Sequence, residues 1–180
     1  FIGTDVLSRM GSFKDIELFS RKKNNRLNSQ RYNLNSPKSF DYLKKKISQK
    51  DYIFFFSSYV PQKERITSWE SVKKPNIYGL INLLSSIDKK LFKKIIFSSS
   101  CSVYGYNKRK VNERSFLKPE SNYGISKIVQ ENLIRIFCNS KNRKYLSLRL
   151  GYVFGKRMKN FRIIKKIFFD KQSNRNTIKL

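Results

Sequence analysis

Histidine is absent from this sequence, which excludes imidazole-based triads, HExxH zinc sites and imidazole proton shuttles. Acidic residues are few: 12 Asp plus Glu face 40 Lys plus Arg, a formal net charge of +28. Cysteine is scarce as well. Cys101 and Cys138 form no CxxC pair, so they give neither a zinc cluster nor a disulfide framework, and they suit a reducing cytoplasm. Long hydrophobic runs are missing. The longest covers residues 52–56, far short of the about 20 residues that a membrane-spanning helix needs.

What is present suffices for a folded domain. At 180 residues the chain suits one domain, in which roughly 70 % of the unfolded surface becomes buried. Hydrophobic residues make up 39 % and aromatics 14 %, and Phe, Ile and Leu cluster in periodic runs, so a wholly disordered chain is not expected. The net charge invites a nucleic-acid partner, since clustered Lys and Arg release counterions from phosphates. The basic residues are instead spread over stretches 21–23, 44–46, 89–94, 108–110 and 156–166. They lie between apolar residues at helical spacing or in turns, with no zinc-finger, helix-turn-helix or RNP-like pattern beside them. A solvated basic surface is expected, with weak non-specific nucleic-acid binding at low salt, no specific nucleic-acid partner and no membrane partner. The opening Phe1-Ile2-Gly3 and the Lys/Asn-rich end lead to the expectation of a fragment of a longer protein.

Apolar strands alternate with amphipathic helices along the chain. A short helix over 4–13 places Val6, Leu7, Met10 and Phe13 on one side, and short strands are expected at 16–19 and near 31–34. A helix over 39–48 is N-capped by Ser36 with Pro37 at its first position. The apolar run 52–56 reads as a strand buried on both faces. The stripe Ile77, Leu80, Ile81, Leu84 and Ile87 predicts a helix over 76–92. Strands are expected at 95–98 and 145–150, and a last helix at 161–169. Between those strands lies a helix over 123–137, with Ile125, Ile128, Val129, Leu133 and Ile136 inward. This alternation points to βαβ units and a parallel sheet.

The chemistry concentrates in two segments. In Ser121-Asn122-Tyr123-Gly124-Ile125-Ser126-Lys127, Tyr123 and Lys127 are spaced to project from one helical face. A phenol has a pKa near 10, and a neighbouring ammonium lowers it, which makes a usable general base without histidine. Taken alone, YxxxK is common. In Ile95-Ile96-Phe97-Ser98-Ser99-Ser100-Cys101-Ser102-Val103-Tyr104-Gly105, an apolar strand runs into serines at its C-terminal end, the edge where open α/β sheets bind ligands. A hydroxyl at Ser100 is expected to donate a hydrogen bond to the substrate oxygen that Tyr123 deprotonates.

These segments, with Asn112-Glu113, Pro119 and Glu131, resemble the extended short-chain dehydrogenase/reductases, specifically the NAD-dependent epimerase/dehydratase family. Phe1-Ile2-Gly3 is similar to the end of that family's GxxGFIG phosphate loop. Asp51 to Ser58 corresponds to D-x-V-x-H-L-A-A, Asn76 to Leu84 to N-x-x-G-T-x-N-L-L, and Leu148 to Gly155 to L-R-x-x-N-V-Y-G. The resemblance implies a Rossmann-type doubly wound parallel sheet in α/β class, incomplete because the first strand and first two loop glycines are absent. Residues 1–155 would form the NAD(P)-binding domain, and 156–180 the start of a C-terminal substrate-binding part or a linker.

It further implies a function: a cytoplasmic sugar-nucleotide epimerase or dehydratase with Ser100, Tyr123 and Lys127 as the catalytic set. Tyr123 would exchange a proton with the sugar, Lys127 would tune it and hold the nicotinamide ribose, and Ser100 would orient the substrate oxygen. Cofactor contacts would come from Phe1, Ile2, Gly3, Ser20, Arg21, Asn33, Leu34, Phe56, Ser57, Ser58, Asn76, Tyr123 and Lys127. Ser100, Ser102 and Tyr152 would meet the substrate, a nucleotide sugar, and no metal is implied. Ser20-Arg21 stands where the family has a ribose-binding acid, which favours NADP over NAD. A homodimer is compatible with the resemblance. The alternatives are an NADPH-dependent carbonyl or keto-sugar reductase of the same fold and a non-catalytic nucleotide- or nucleic-acid-binding protein.

Overall fold

The computed structural model describes Val6, Ile16, Phe19, Ser20, Ser36 and residues 30–33, 52–61, 63–87, 92–106 and 110–153. The chain divides into two compact units, Asp15–Leu150 and a second made of Phe1–Lys14 with Gly151–Leu180. The expected helices over 4–13 (Val6 excepted, which is helical), 39–48 and 161–169 lie outside the described residues. Ser36 is seen at a turn, its N–H donating to Asn33 O at 3.0 Å.

Within Asp15–Leu150 every strand pairing among the described residues is parallel. Strands β1 (Phe19–Ser20) and β2 (Gln30–Arg31) form one pair. Strands β3 (Tyr52–Phe55), β4 (Lys94–Ser100) and β5 (Lys144–Leu150) form a sheet in that order. The register sets Phe55 beside Phe97 and Ser98 beside Leu148. The β3-to-β4 and β4-to-β5 steps are bridged by helices, the βαβ connection expected from the alternation.

Two boundaries and one burial pattern that bear on the site differ from the sequence reading, each for a physical reason. The helix expected over 76–92 begins earlier, with α1 (Trp69–Val72). Ser68 caps it by accepting from Ser71 N–H. The chain then continues through a π-helical turn (Lys73–Tyr78) into α2 (Gly79–Ser86). Pro75 lies inside that turn. It lacks an N–H, and its ring would clash with the carbonyl four residues back. The wider turn, in which Gly79 N–H reaches Lys74 O, accommodates it. In addition, β4 runs on to Ser99 and Ser100, because β5 supplies Arg149 and Leu150 as partners. Finally, β3 is not buried on both faces. It is an edge of the described sheet, and Tyr52 and Phe54 remain 48 % and 43 % exposed.

Helix α3 (Asn122–Ser140) is capped by Ser121 and closed at Asn142, whose φ of +51° suits asparagine. Its inward face is only partly the expected one: Leu133 packs against the core, and Ile128 and Val129 are half-buried. Ile125 and Ile136 are 41 % and 59 % exposed, whereas Tyr123, Ser126, Lys127, Gln130, Ile134 and Cys138 are buried. Spacings of three and four put these last six residues on one stripe. Ile134 and Cys138 join Phe55, Leu84, Ile87, Phe92, Ile95 and Phe97 in the core. Rings of Phe55 and Phe97 stack at 5.9 Å, and those of Phe92 and Phe137 at 6.1 Å.

Candidate active site

The C-terminal end of β4 and the N-terminal half of α3 meet over a set of polar side chains. Lys127 is 1 % exposed, yet its Nζ donates to Ser98 O at 2.9 Å and lies 4.8 Å from the Phe97 ring centroid and 5.6 Å from that of Tyr123. Burial lowers its pKa to about 7, against the opposing pull of the Glu131 carboxylate. The structure therefore brings Tyr123 and Lys127 together as the spacing predicts.

Ser100 caps the short turn Cys101–Tyr104, accepting from Ser102 N–H at 3.2 Å. Its own hydroxyl donates to Ser102 Oγ at 3.1 Å. Donation to a substrate oxygen, as expected from the sequence, requires that hydroxyl to turn. Glycine is required at two contacts here. A Cβ on Gly124 would sit 2.6 Å from Ser102 O, so only glycine lets the start of α3 approach the serine turn this closely. Gly105 has φ +64° and faces Lys118 O, which likewise admits no side chain.

Asn76 is fully buried in the π-helical turn and ties three segments together. Its Oδ1 accepts from Tyr59 N–H at 2.7 Å and Ser58 Oγ at 3.1 Å, and its Nδ2 donates to Tyr59 O and Ser126 Oγ. Gln130 Nε2 donates to Asn76 O at 2.7 Å. Ser58 and Asn76, both expected at the cofactor, are thus in contact. Phe56 is half-buried and Ser57 exposed. Ser20 ends β1, and Asn33 is exposed. Phe1, Ile2, Gly3, Arg21 and Leu34 lie outside the described residues. Tyr152 belongs to the other unit and is 83 % exposed.

A second cluster braces the sheet behind the site. Arg149 donates to both oxygens of Glu131, at 2.8 Å through Nη2, and to Tyr104 OH at 2.9 Å. Those hydrogen bonds raise the Arg149 pKa, and Glu131 also accepts from Ser99 Oγ. Sequence reasoning missed Ser126, Gln130 and Glu64. The first two share the stripe of Tyr123 and Lys127, a signal that was available. Glu64, distant in sequence from its partners Ser102 and Ser121, carried none. Among the described residues no cluster of His, Cys, Asp or Glu could hold a metal ion, and no helix is long and apolar enough to cross a membrane.

The NAD dependent epimerase/dehydratase family model matches residues 2–172. The chain belongs to that family. Its parallel sheet with helical crossovers is the Rossmann-type fold of this family, seen also in a crystal structure of UDP-glucose 4-epimerase from Thermotoga maritima with UDP-glucose. The two are 25 % identical, with a TM-score of 0.73, over 90 % of this chain and 56 % of that one. A putative UDP-glucose 4-epimerase of Methanocaldococcus jannaschii is 34 % identical over 122 residues, 62 % of this chain and 40 % of that protein. The dTDP-4-dehydro-6-deoxyglucose reductase of Escherichia coli is 33 % identical over 102 residues, 55 % of this chain and 32 % of that protein. The chain therefore covers less than two thirds of the length of these curated relatives.

Proposed function

We propose that this family member catalyses NAD(P)-dependent epimerisation or dehydration of a nucleotide sugar, with Tyr123, Lys127 and Ser100 as its catalytic set. The observation that carries the proposal is the buried pair on α3: Lys127 Nζ lies 5.6 Å from the Tyr123 ring centroid, on the stripe that also carries Ser126 and Gln130. The residues fit the ribose end of the cofactor. An ammonium has three donors, and Ser98 O engages one of those on Lys127, so others are available for ribose hydroxyls. The bound cofactor supplies the hydride acceptor. Tyr123 exchanges a proton with the sugar hydroxyl, Lys127 stabilises the phenolate and the ribose, and Ser100 fixes the sugar oxygen. Residues 1–155 are proposed as the dinucleotide-binding domain and 156–180 as the start of the substrate part. Ser20-Arg21 in place of an acid supports NADP over NAD. The similarity to a reductase keeps a keto-sugar reductase as the second reading, distinguished by net consumption of NADPH.

Tyr123→Phe keeps the ring and removes the hydroxyl. Turnover of the nucleotide sugar is expected to fall by about 10² to 10⁴, the usual worth of general acid–base catalysis. Calorimetric titration of NADP(H) and NAD(H) into both proteins is expected to show little change on substitution and tighter NADP(H). Turnover near the wild-type value in the variant sinks the catalytic assignment, and tighter NAD(H) sinks the cofactor preference.

A further inference from the structure

Glu64 stands in the short turn Glu64–Ile66 and has no part in the set just described. Its carboxylate joins two elements: Ser121 Oγ donates to Oε1 at 2.6 Å and Ser102 Oγ to Oε2 at 3.0 Å. A carboxylate offers only acceptors, so both serines spend their single hydroxyl hydrogen on it. Ser102 then has none left for Ser100. The 3.1 Å contact between them is donated by Ser100. Ser100 Oγ also accepts from Ser102 N–H at 3.2 Å, which leaves one lone pair of a hydroxyl oxygen. In this arrangement Ser100 can accept a hydrogen bond from an alcohol, and it can donate to a ketone only by breaking its bond to Ser102.

We propose that Glu64 is a positioning residue that sets the polarity of the Ser100–Ser102 hydroxyl chain, so that Ser100 receives the alcohol form of a nucleotide sugar in preference to its keto form. The proposal rests on the function above and sharpens it. An enzyme that receives the alcohol begins by oxidising it, as an epimerase does, whereas a keto-sugar reductase begins from the ketone. The same carboxylate holds the Ser102 turn to Ser121, the N-cap of the helix that carries Tyr123 and Lys127.

Glu64→Gln tests polarity apart from shape, because glutamine spans the same two serines while one of its atoms becomes a donor. The full cofactor-loaded chain is titrated with a nucleotide sugar and with its keto counterpart. Glu64→Gln is expected to shift the ratio of the two affinities toward the ketone by about three- to tenfold, the worth of one hydrogen bond. In a Ser102→Ala background, where the chain is already cut, the same substitution is expected to leave the ratio unmoved. An unmoved ratio in Glu64→Gln alone, or an equal shift in both backgrounds, overturns the proposal. Survival of turnover in Tyr123→Phe defeats the proposed function instead and leaves Glu64 to be judged by the ratio. If the wild type binds neither form, the proposed function fails and amide exchange decides on Glu64. Exchange of the Gly124 amide must then rise about tenfold in Glu64→Ala and stay at the wild-type rate in Glu64→Gln; any other pattern overturns the proposal.

Discussion

Along the buried stripe of α3, the first half carries Ser126, Lys127 and Gln130, whereas the second carries Ile134 and Cys138. Both halves are shielded from water to a similar degree, yet they are held by different forces. The second half packs on Phe92, Ile95 and Phe97, and its burial is favourable in itself. It also pushes the Cys138 thiol up to about 11. The first half is held by hydrogen bonds to Asn76 and Ser98 O, and it is incompletely satisfied: Gln130 Oε1 is buried without a partner among the described residues. Burying such groups is unfavourable unless every donor and acceptor is met. The polar half therefore makes sense as a site maintained against stability, and the apolar half as the scaffold that stabilises it.

Substitutions in each half are expected to separate the two roles. Ile134→Ala removes a fully buried core side chain and is expected to destabilise by about 2 to 5 kcal/mol. Denaturant unfolding measures that loss, and turnover per folded molecule should be unchanged. Gly124→Ala drives a methyl group toward Ser102 O and Pro119, at 2.6 and 3.0 Å. It is expected to cost roughly 1 to 3 kcal/mol and, unlike Ile134→Ala, to lower turnover as well, because it parts Tyr123 from the serine turn. Ile136→Ser, on the exposed side, is expected to change stability by no more than about 0.5 kcal/mol. A loss like that of Ile134→Ala at this position would erase the assignment of faces.

The sequence made the alternation of strands and helices legible, because apolar runs and hydrophobic period mark which elements form, although they overstated the burial of β3. It also made Tyr123 and Lys127 legible as a pair, through their spacing and their place after the serine-rich strand. It misled in part on α3, since an apolar stripe was sought and the first half of the inward face carries Ser126, Lys127 and Gln130 beside Tyr123. Hydrophobicity marks the core side of a helix only where that side serves the core. On the preceding helix the apolar stripe begins only at Ile77, whereas the helical path starts at Trp69 and a π-helical turn absorbs Pro75 and seats Asn76. Glu64 was invisible because nothing local links it to Ser102 and Ser121. Such tertiary hydrogen bonds leave no periodic trace.

The stability of Lys127→Met against the wild type as a function of pH tests the claim of a site maintained against stability most directly. The unfolded chain holds the Lys127 proton up to about 10.5, and the folded chain only to about 7. Between these values the unfolded state binds more protons, so this lysine makes wild-type stability rise with pH, by up to about 1.4 kcal/mol per unit. Below about 7 the burial penalty is present in full. Chemical denaturation from pH 6 to pH 10 is therefore expected to find Lys127→Met more stable than the wild type at pH 6, by a few kcal/mol, with the gap closing as pH rises. A variant less stable than the wild type at pH 6, or a gap that does not change with pH, would contradict the account.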